Sequence, residues 1–462
     1  MGNLPPVEEA AARLVTGLTF ATIPADALAG ARQLLQDQLA VQIGCAALPW
    51  SRAILDVTRA ACVPGTAHVT ATGDAMSAAD AAFVNATFGH GFEYDDAHRA
   101  SSSHPGSCVV SAALAVGEEL GLPMRDVLTG IVAGYEVYTR IGVLAAPTLL
   151  ERGFHPHGLL SAFGAAAVVA KLRGFDVPTT VHALAIALSH ASGTTEYTSS
   201  GGSVKRAHSG IGTRNGIRAA ELAAAGITGP TTFLTGEKGF LRVFAGTEVS
   251  DAAAFGPDRP FEITRVWVKP YCCCGINHAY IDGARRLSAK AAEIDSVLLG
   301  IQTGGDVVIG NRNANAYAPK IIEHLQYSLP FQFALAALSH GNGFTTHHDY
   351  LAGRLDLGPS SAVAALARRV KIEVRPELDR AYPGRWVGDI AVTYRDGTRE
   401  EVFVDNPVGT AENPISQADL DAKFRDLTEA ALGPDRSAAL LRAVQEGDLG
   451  QPAAEFAALL KA

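Results

Sequence analysis

The sequence predicts a mainly α-helical fold carrying one α+β insert, and three observations carry that prediction. Apolar side chains recur at spacings of three and four through much of residues 25–192. From about residue 262 to 404 the pattern changes to strand-like alternation, and after residue 416 the helical period returns. A period of 3.6 buries one face of a helix and a period of 2 buries one face of a strand. The order is therefore helices, a mixed insert at about 265–405, and helices again. At 462 residues the chain exceeds one typical core, and two domains are expected.

The first helix runs over "ADALAGARQLLQDQLAVQIGCAA" (25–47). Others follow at "SCVVSAALAVGEELG" (107–121), "RDVLTGIVAGYEVYTRIGVLAA" (125–146), "GLLSAFGAAAVVAKLRG" (158–174) and "TVHALAIALSHAS" (180–192). Several are apolar nearly all round and rich in Ala and Gly, the mark of helices buried on most sides. Glycine and proline punctuate the chain between them. In the insert, "FEITRVWVKPY" (261–271), "LLGIQTGGDVVIG" (298–310) and "VKIEVRPE" (370–377) read as strands. "VGDIAVTYRDGTREEVFV" (387–404) reads as a hairpin turning at Asp396-Gly397. Ser416 and Asp419 mark the start of a last helical region, "QADLDAKFRDLTEAAL".

Composition narrows the function. The chain is 48% hydrophobic and 18% charged, with a formal net charge of -9. No basic stripe with interleaved aromatics is present, so no nucleic acid partner is expected. No uninterrupted apolar run reaches the roughly 18 residues that span a bilayer, so no membrane partner is expected. The N-terminal stretch lacks a basic segment followed by an apolar one, and the expected location is the cytoplasm. The six cysteines, at 45, 62, 108, 272, 273 and 274, are expected as reduced thiols.

One stretch concentrates chemistry. Within "GHGFEYDDAHRASSSHP" (89–105) lie Glu93, Asp95 and Asp96 together with His90, His98 and His104. A solvated loop could have this composition. Its histidines lack zinc spacing, and its acids lack the pattern of a calcium loop. Acid/base chemistry fits better: crowded carboxylates raise one another's pKa, and an imidazole nearby can take the proton. "GIGTRNG" (210–216) has the wrong spacing for a phosphate loop. "CCC" (272–274) reads as buried small residues beside a turn, and "TTHHD" (345–349) as a polar surface loop. No metal site and no cofactor is expected.

The segment has company. "GHGFEYDDAHRASSSHPGSCVVSAALAVGEELG" and "GYEVYTRIG" are followed by "GFHPHG" (153–158), "SSGGSVKRAHSGIGTRNGIRAAELAAAGITGP" (199–230) and "VKPYCCCGINHAYIDGA" (268–284). "GRWVGDIAVTYRDG" (384–397) and "NPIS" (413–416) complete the set. In that order these segments resemble the MmgE/PrpD family, which includes 2-methylcitrate dehydratase, cis-aconitate decarboxylase and iminodisuccinate epimerase. The resemblance implies a helical domain made of residues 1–265 and 406–462, capped by an α/β lid of residues 266–405. It implies no metal and no organic cofactor, a polycarboxylate substrate and a homodimer. The apolar helices of the first half, read as offering more flat face than one subunit covers, point to a homodimer too.

Site residues follow from matched positions. The resemblance implies catalytic roles for Glu93, Asp96, His104, His155, Lys205, Lys269 and a lid tyrosine matched to Tyr317. Lys205, Lys269 and Arg99 would hold substrate carboxylates. Glu93 stands where the decarboxylase has Asp, and Ala97 where the family usually has Thr. His98 has no counterpart and is expected to be dispensable. The implied activity is a lyase that moves a proton beside a carboxylate, dehydrating a 2-methylcitrate-like substrate or decarboxylating a cis-aconitate-like one. A cofactor-independent epimerase of an amino- or iminodicarboxylate is the alternative, and an inactive binding protein on the same fold the remote one.

Overall fold

The computed structural model describes residues 4–248, 251–382 and 384–461. It is mainly helical with a small mixed sheet, the expected fold class. By contact the chain divides into two units. Among the described residues the first comprises 4–91, 95–266 and 420–461, and the second 92–94 and 267–419.

The first unit is a stack of long helices. Ala25–Cys45, Ala78–Gly89, Gly106–Glu119, Met124–Ala145, Pro156–Leu172, Val177–Leu188 and Val204–Ala224 pack on one another. Local chemistry starts several of them. Ser77 accepts from the Asp80 backbone N–H, Asp176 accepts from that of Thr179, and Pro156 opens its own helix. The C-terminal segment closes the core through a buried ion pair, Lys423 Nζ to Asp37 Oδ1 at 2.6 Å.

Helix Met124–Ala145 is long and apolar enough to cross a membrane by length and composition, although charged residues interrupt its apolar run. Its most apolar window is 89% buried inside the protein. It also carries the buried pair Glu136–Arg140 at 2.7 Å, with Glu136 Oε1 accepting from Ile263 N–H. These are the features of a core helix. The helices Gly106–Glu119 and Pro156–Leu172 likewise bury nearly every residue within the unit. Their apolar faces are therefore covered by the chain itself, and the composition argument for a dimer lapses.

"GIGTRNG" lies inside helix Val204–Ala224, which the periodicity reading passed over because three glycines weaken helix propensity. Each glycine marks a close approach. A Cβ on Gly210 would press on the Phe83 carbonyl oxygen, and one on Gly212 would lie 2.5 Å from Ser161 Cβ. One on Gly216 would collide with the Ala162 carbonyl oxygen and lie 2.8 Å from Ala165 Cβ. Gly216→Ala is therefore expected to destabilise the protein by about 1–3 kcal/mol despite the better helix propensity of Ala. Denaturant unfolding with an unchanged m-value checks this; equal or greater stability would refute it.

The second unit holds a four-stranded sheet in the order Val370–Val374, Ile294–Ile301, Gly388–Tyr394, Arg399–Val404. The first pair is parallel and the other two antiparallel. The hairpin turns at Asp396-Gly397, where Gly397 has φ 85° and Asp396 accepts from Thr398 N–H. The unit runs to residue 419, beyond the pattern change at 405. Trp267 Nε1–H donates to Val408 O, Val268 N–H to Gly409 O, and Val408 N–H to Asp282.

Three local readings are corrected. Residues 261–271 form no ladder strand: Glu262–Arg265 is a 3₁₀ turn and Pro270 lacks a donor. The strand expected over 298–310 ends at Ile301, and Thr303–Ile309 is a helix whose start is held by Asp379, which accepts from Thr303 N–H and Oγ1–H. "TTHHD" lies in helix Phe344–Leu351, with His347 buried between Gly343 O and the Gln332 side-chain amide.

Candidate active site

Residues 89–91 and 95–105 fold onto helix ends in the first unit, and backbone polarity explains how. Helix Ala78–Gly89 ends at His90, whose N–H closes its last turn on Ala86 O. Helix Gly106–Glu119 begins where Gly106 N–H donates to Asp96 Oδ1 at 2.9 Å. Tyr135 O–H donates to the other oxygen, Asp96 Oδ2, at 2.7 Å. Asp96 thus ties the loop to two helices, and its backbone carbonyl accepts from His104 Nδ1–H at 2.7 Å. That bond leaves Nε2 as the lone-pair side of a neutral His104 ring.

Four more histidines converge on His104. His90 Nδ1–H donates to Asp95 Oδ2 at 2.6 Å, both side chains fully buried. His155 caps helix Pro156–Leu172 and meets His208 at 2.9 Å between Nδ1 atoms. His157 bonds Tyr138 O–H at 2.7 Å and Ser107 Oγ at 3.1 Å. Ring centroids lie 5.5 Å apart for His90 and His104, 4.4 Å for His90 and His157, and 5.1 Å for His155 and His208. Lys205 shares a helix with His208 at a three-residue spacing. Its Nζ sits 6.0 Å from the centre of the Tyr197 ring, which packs 5.4 Å from His155. Arg99 is buried in the turn Arg99–Ser101.

Burial sets the electrostatics. It holds His90, His155 and His157 well below the ordinary imidazole value, with neighbouring cationic groups adding to the effect. His208 is lowered to about 4 by burial and by Lys205. Asp96 is pushed up to about 7, by burial first and by the Asp95 charge second. Both directions bear on stability. A histidine lowered on folding loses stability as pH falls below its unfolded value near 6.5. Asp96, raised on folding, acts in the opposite sense and loses stability as pH climbs from about 4 to about 7. Among the described residues seven histidines are lowered, His324, His347 and His348 joining these four, against four raised carboxyls, Asp96, Glu118, Glu136 and Asp282, which predicts a net loss on acidification. The denaturant midpoint is expected to drop between pH 6.5 and pH 5; a flat profile would contradict the burial of neutral rings.

The second unit carries a separate group. Lys269 is fully buried, with Nζ 3.6 Å from Glu93 Oε2 and donating to Glu93 O at 3.3 Å. Glu93 has φ 58°, a left-handed conformation that costs a non-glycine residue about 1–3 kcal/mol. Its surroundings over-determine it: Phe92 O accepts from Gln326 Nε2 and Cys272 Sγ, and Tyr327 O–H donates to Glu93 Oε1 at 3.1 Å. The tyrosine hydroxyl on Glu93 is that of Tyr327. The Tyr317 hydroxyl bonds to Asn311 and Val370 O, and its residue is 37% exposed. Cys272 and Cys273 are buried.

Of the nominated residues, Asp96, His104, His155, Lys205 and Arg99 fall in the first unit, and Glu93 and Lys269 pair in the second. The structure also brings His157, His208, Tyr135, Tyr138 and Tyr327, which sequence reasoning did not nominate, against these groups, while His90 and Asp95 were singled out only as members of the 89–105 cluster. Two signals were available: Lys205/His208 and Tyr135/Tyr138 each share a helix face at a spacing of three. His98, expected to be dispensable, is not a solvated loop residue. It is buried, with Nδ1 on Ser101 Oγ and Nε2 on Glu262, so its loss would strip partners from buried polar groups.

Residues 9–252 match the model of the MmgE/PrpD N-terminal domain, and residues 271–448 that of the MmgE/PrpD C-terminal domain. A cis-aconitate decarboxylase of Aspergillus terreus is 29% identical over 287 residues, 59% of this chain and 58% of that enzyme. The chain's match thus spans less than two thirds of that relative. A cis-aconitate decarboxylase-like protein of Aspergillus oryzae is 26% identical over 475 residues, 96% of this chain and 95% of its own. The cis-aconitate decarboxylase of Mus musculus is 24% identical over 384 residues, 79% of this chain and 75% of its own.

Proposed function

The chain belongs to the MmgE/PrpD family, and from that premise we propose that it is a lyase acting on a di- or tricarboxylate, with decarboxylation of a cis-aconitate-like substrate the reaction its relatives favour. One observation carries the reading: an ammonium, Lys205, and a partly exposed imidazole, His104, belong to one cluster of otherwise buried, neutral rings.

That set suits carbanion chemistry. In the decarboxylation the bond to one carboxylate breaks and CO2 departs. The electron pair it leaves spreads onto a remaining carboxylate, where a cation stabilises it. A proton from an imidazolium then adds to carbon, and solvent restores the proton. In a dehydration the imidazole would instead remove the proton beside the carboxylate while hydroxide leaves as water. His104 is the proton carrier in this reading, and Lys205 the cation that receives a substrate carboxylate. His155 and Arg99 are assigned to binding and to proton supply. Asp96, with both oxygens already accepting hydrogen bonds, orients His104 through its carbonyl. Lys269 and Glu93 form a second carboxylate-handling group, with Tyr327 in the role first matched to Tyr317. Cytoplasmic location and a homodimer belong to the same reading.

The test is incubation with a panel of polycarboxylates in D2O, followed by NMR. Net loss of CO2 or water with deuterium placed beside a carboxylate is expected. Deuterium uptake without net elimination would mean an epimerase, and no exchange on any carboxylate would leave a binding protein. Metal removal supplies a further prediction. Among the described residues no three His, Cys, Asp or Glu side chains are arranged to hold a metal ion. Exhaustive chelation is expected to leave the rate unchanged, and a loss restored by one defined cation would overturn this.

A further inference from the structure

His90 has no role in the chemistry above, yet it is the hub of the histidine cluster. Its ring centre lies 4.4 Å from that of His157, 5.5 Å from His104 and 6.0 Å from His155. It is fully buried, and its Nδ1–H is committed to Asp95 at 2.6 Å. That bond makes Nε2 the lone-pair atom. Nε2 is buried and has no hydrogen-bond partner among the described residues. A buried acceptor left in this way costs about 1–3 kcal/mol, so the arrangement is held in place by what surrounds it.

The cluster also has a charge problem. Lys205 and Arg206 both act on His90 from nearby and oppose a proton on it. A set of packed, buried imidazoles beside two cations cannot carry the proton that a lyase cycle needs unless an anion compensates. Asp95 is that anion: its charge acts in favour of protonated His155 and His157, and it grips His90 directly. The groups facing His90 are thus Asp95, His104, His155, His157, Lys205 and Arg206.

We propose that His90 and Asp95 form a positioning dyad that sets the protonation of the rings packed on it, so that the cluster accommodates one positive charge during turnover. Asp95 supplies the counter-charge and fixes the His90 tautomer, and His90 presents that charge to His104, His155 and His157. The dyad acts through its neighbours and needs no contact with substrate. The proposal rests on the lyase reading for its catalytic consequence but not for its electrostatic one, and the two separate in the experiment.

Asp95→Asn and His90→Asn are prepared in the full chain; the second keeps an amide donor toward Asp95 and guards against misfolding of the first. Imidazole titrations are followed by 15N NMR with labelled histidine, and kcat and KM are measured against pH. In Asp95→Asn the loss of a nearby negative charge should move the cluster's titrations down by about one unit or more. The limb of the kcat profile they govern should move down with them, whether the ring acts as acid or base. Loss of a supporting partner to a functional imidazole should lower kcat by about 10–100-fold in both variants, with KM changed far less. Unmoved imidazole titrations in a folded variant would overturn the dyad. Moved titrations with wild-type kcat would overturn its catalytic role. If wild-type protein turns over no carboxylate, the lyase reading falls, and the NMR titration still decides the dyad.

Discussion

His104→Gln is expected to lower kcat by about 10²–10⁴-fold, the range a positioned proton carrier contributes, while the protein still folds. His104 is the half-exposed ring of the cluster, whereas His90, His155 and His157 are buried. Its ring is aimed by the bond from Nδ1–H to Asp96 O, which makes Nε2 the atom that would carry the transferred proton. The other rings are buried, and burial disfavours a proton on each of them. The comparison needs the substrate found in D2O and a circular-dichroism melt of both proteins. Turnover within about threefold of wild type, set against that range, would remove His104 from the chemistry. His98→Ala does not serve as a neutral control: its ring bridges Ser101 and Glu262, so it should lower stability.

Lys205→Ala carries the other large effect, a loss of about 10²–10³-fold in kcat/KM, the scale of removing one group that stabilises developing negative charge. Lys205→Arg should recover only part of it, because a planar fork does not occupy the place of a compact ammonium. A second readout separates this from simple misfolding. Lys205 helps to hold His208 and His90 low, so its removal should let their titrations rise toward the ordinary imidazole value. A Lys205→Ala protein with unchanged kcat/KM, or with unmoved histidine titrations, would place the ammonium away from the cluster.

Legibility differed with the range of the interactions involved. The helix Met124–Ala145 and the hairpin at Asp396-Gly397 were readable because their cause is local: an apolar stripe in one case, a glycine at φ 85° in the other. Helix Val204–Ala224 was not, because its glycines lower propensity and are repaid only by the close approach of Phe83, Ser161 and Ala162. Helix Thr303–Ile309 depends on Asp379, far along the chain. Of the site, the loop 89–105 announced itself by its acids and histidines, and matched motifs nominated His155 and Lys205. Nothing in the spacing could show that Tyr327 bonds Glu93, since the two lie 234 residues apart in the chain.

By itself, then, the sequence determined which residue types are available, where the helical and strand periods lie, and to which family the ordered motifs belong. Only the tertiary structure decided which imidazoles share a cluster, that Asp96 anchors rather than stands free, and that Asp95 belongs to His90. The physical reason is that periodicity and turn chemistry act between residues a few positions apart. Proton affinity is set by burial and by charges brought within a few ångströms through folding, and a linear chain does not display those distances.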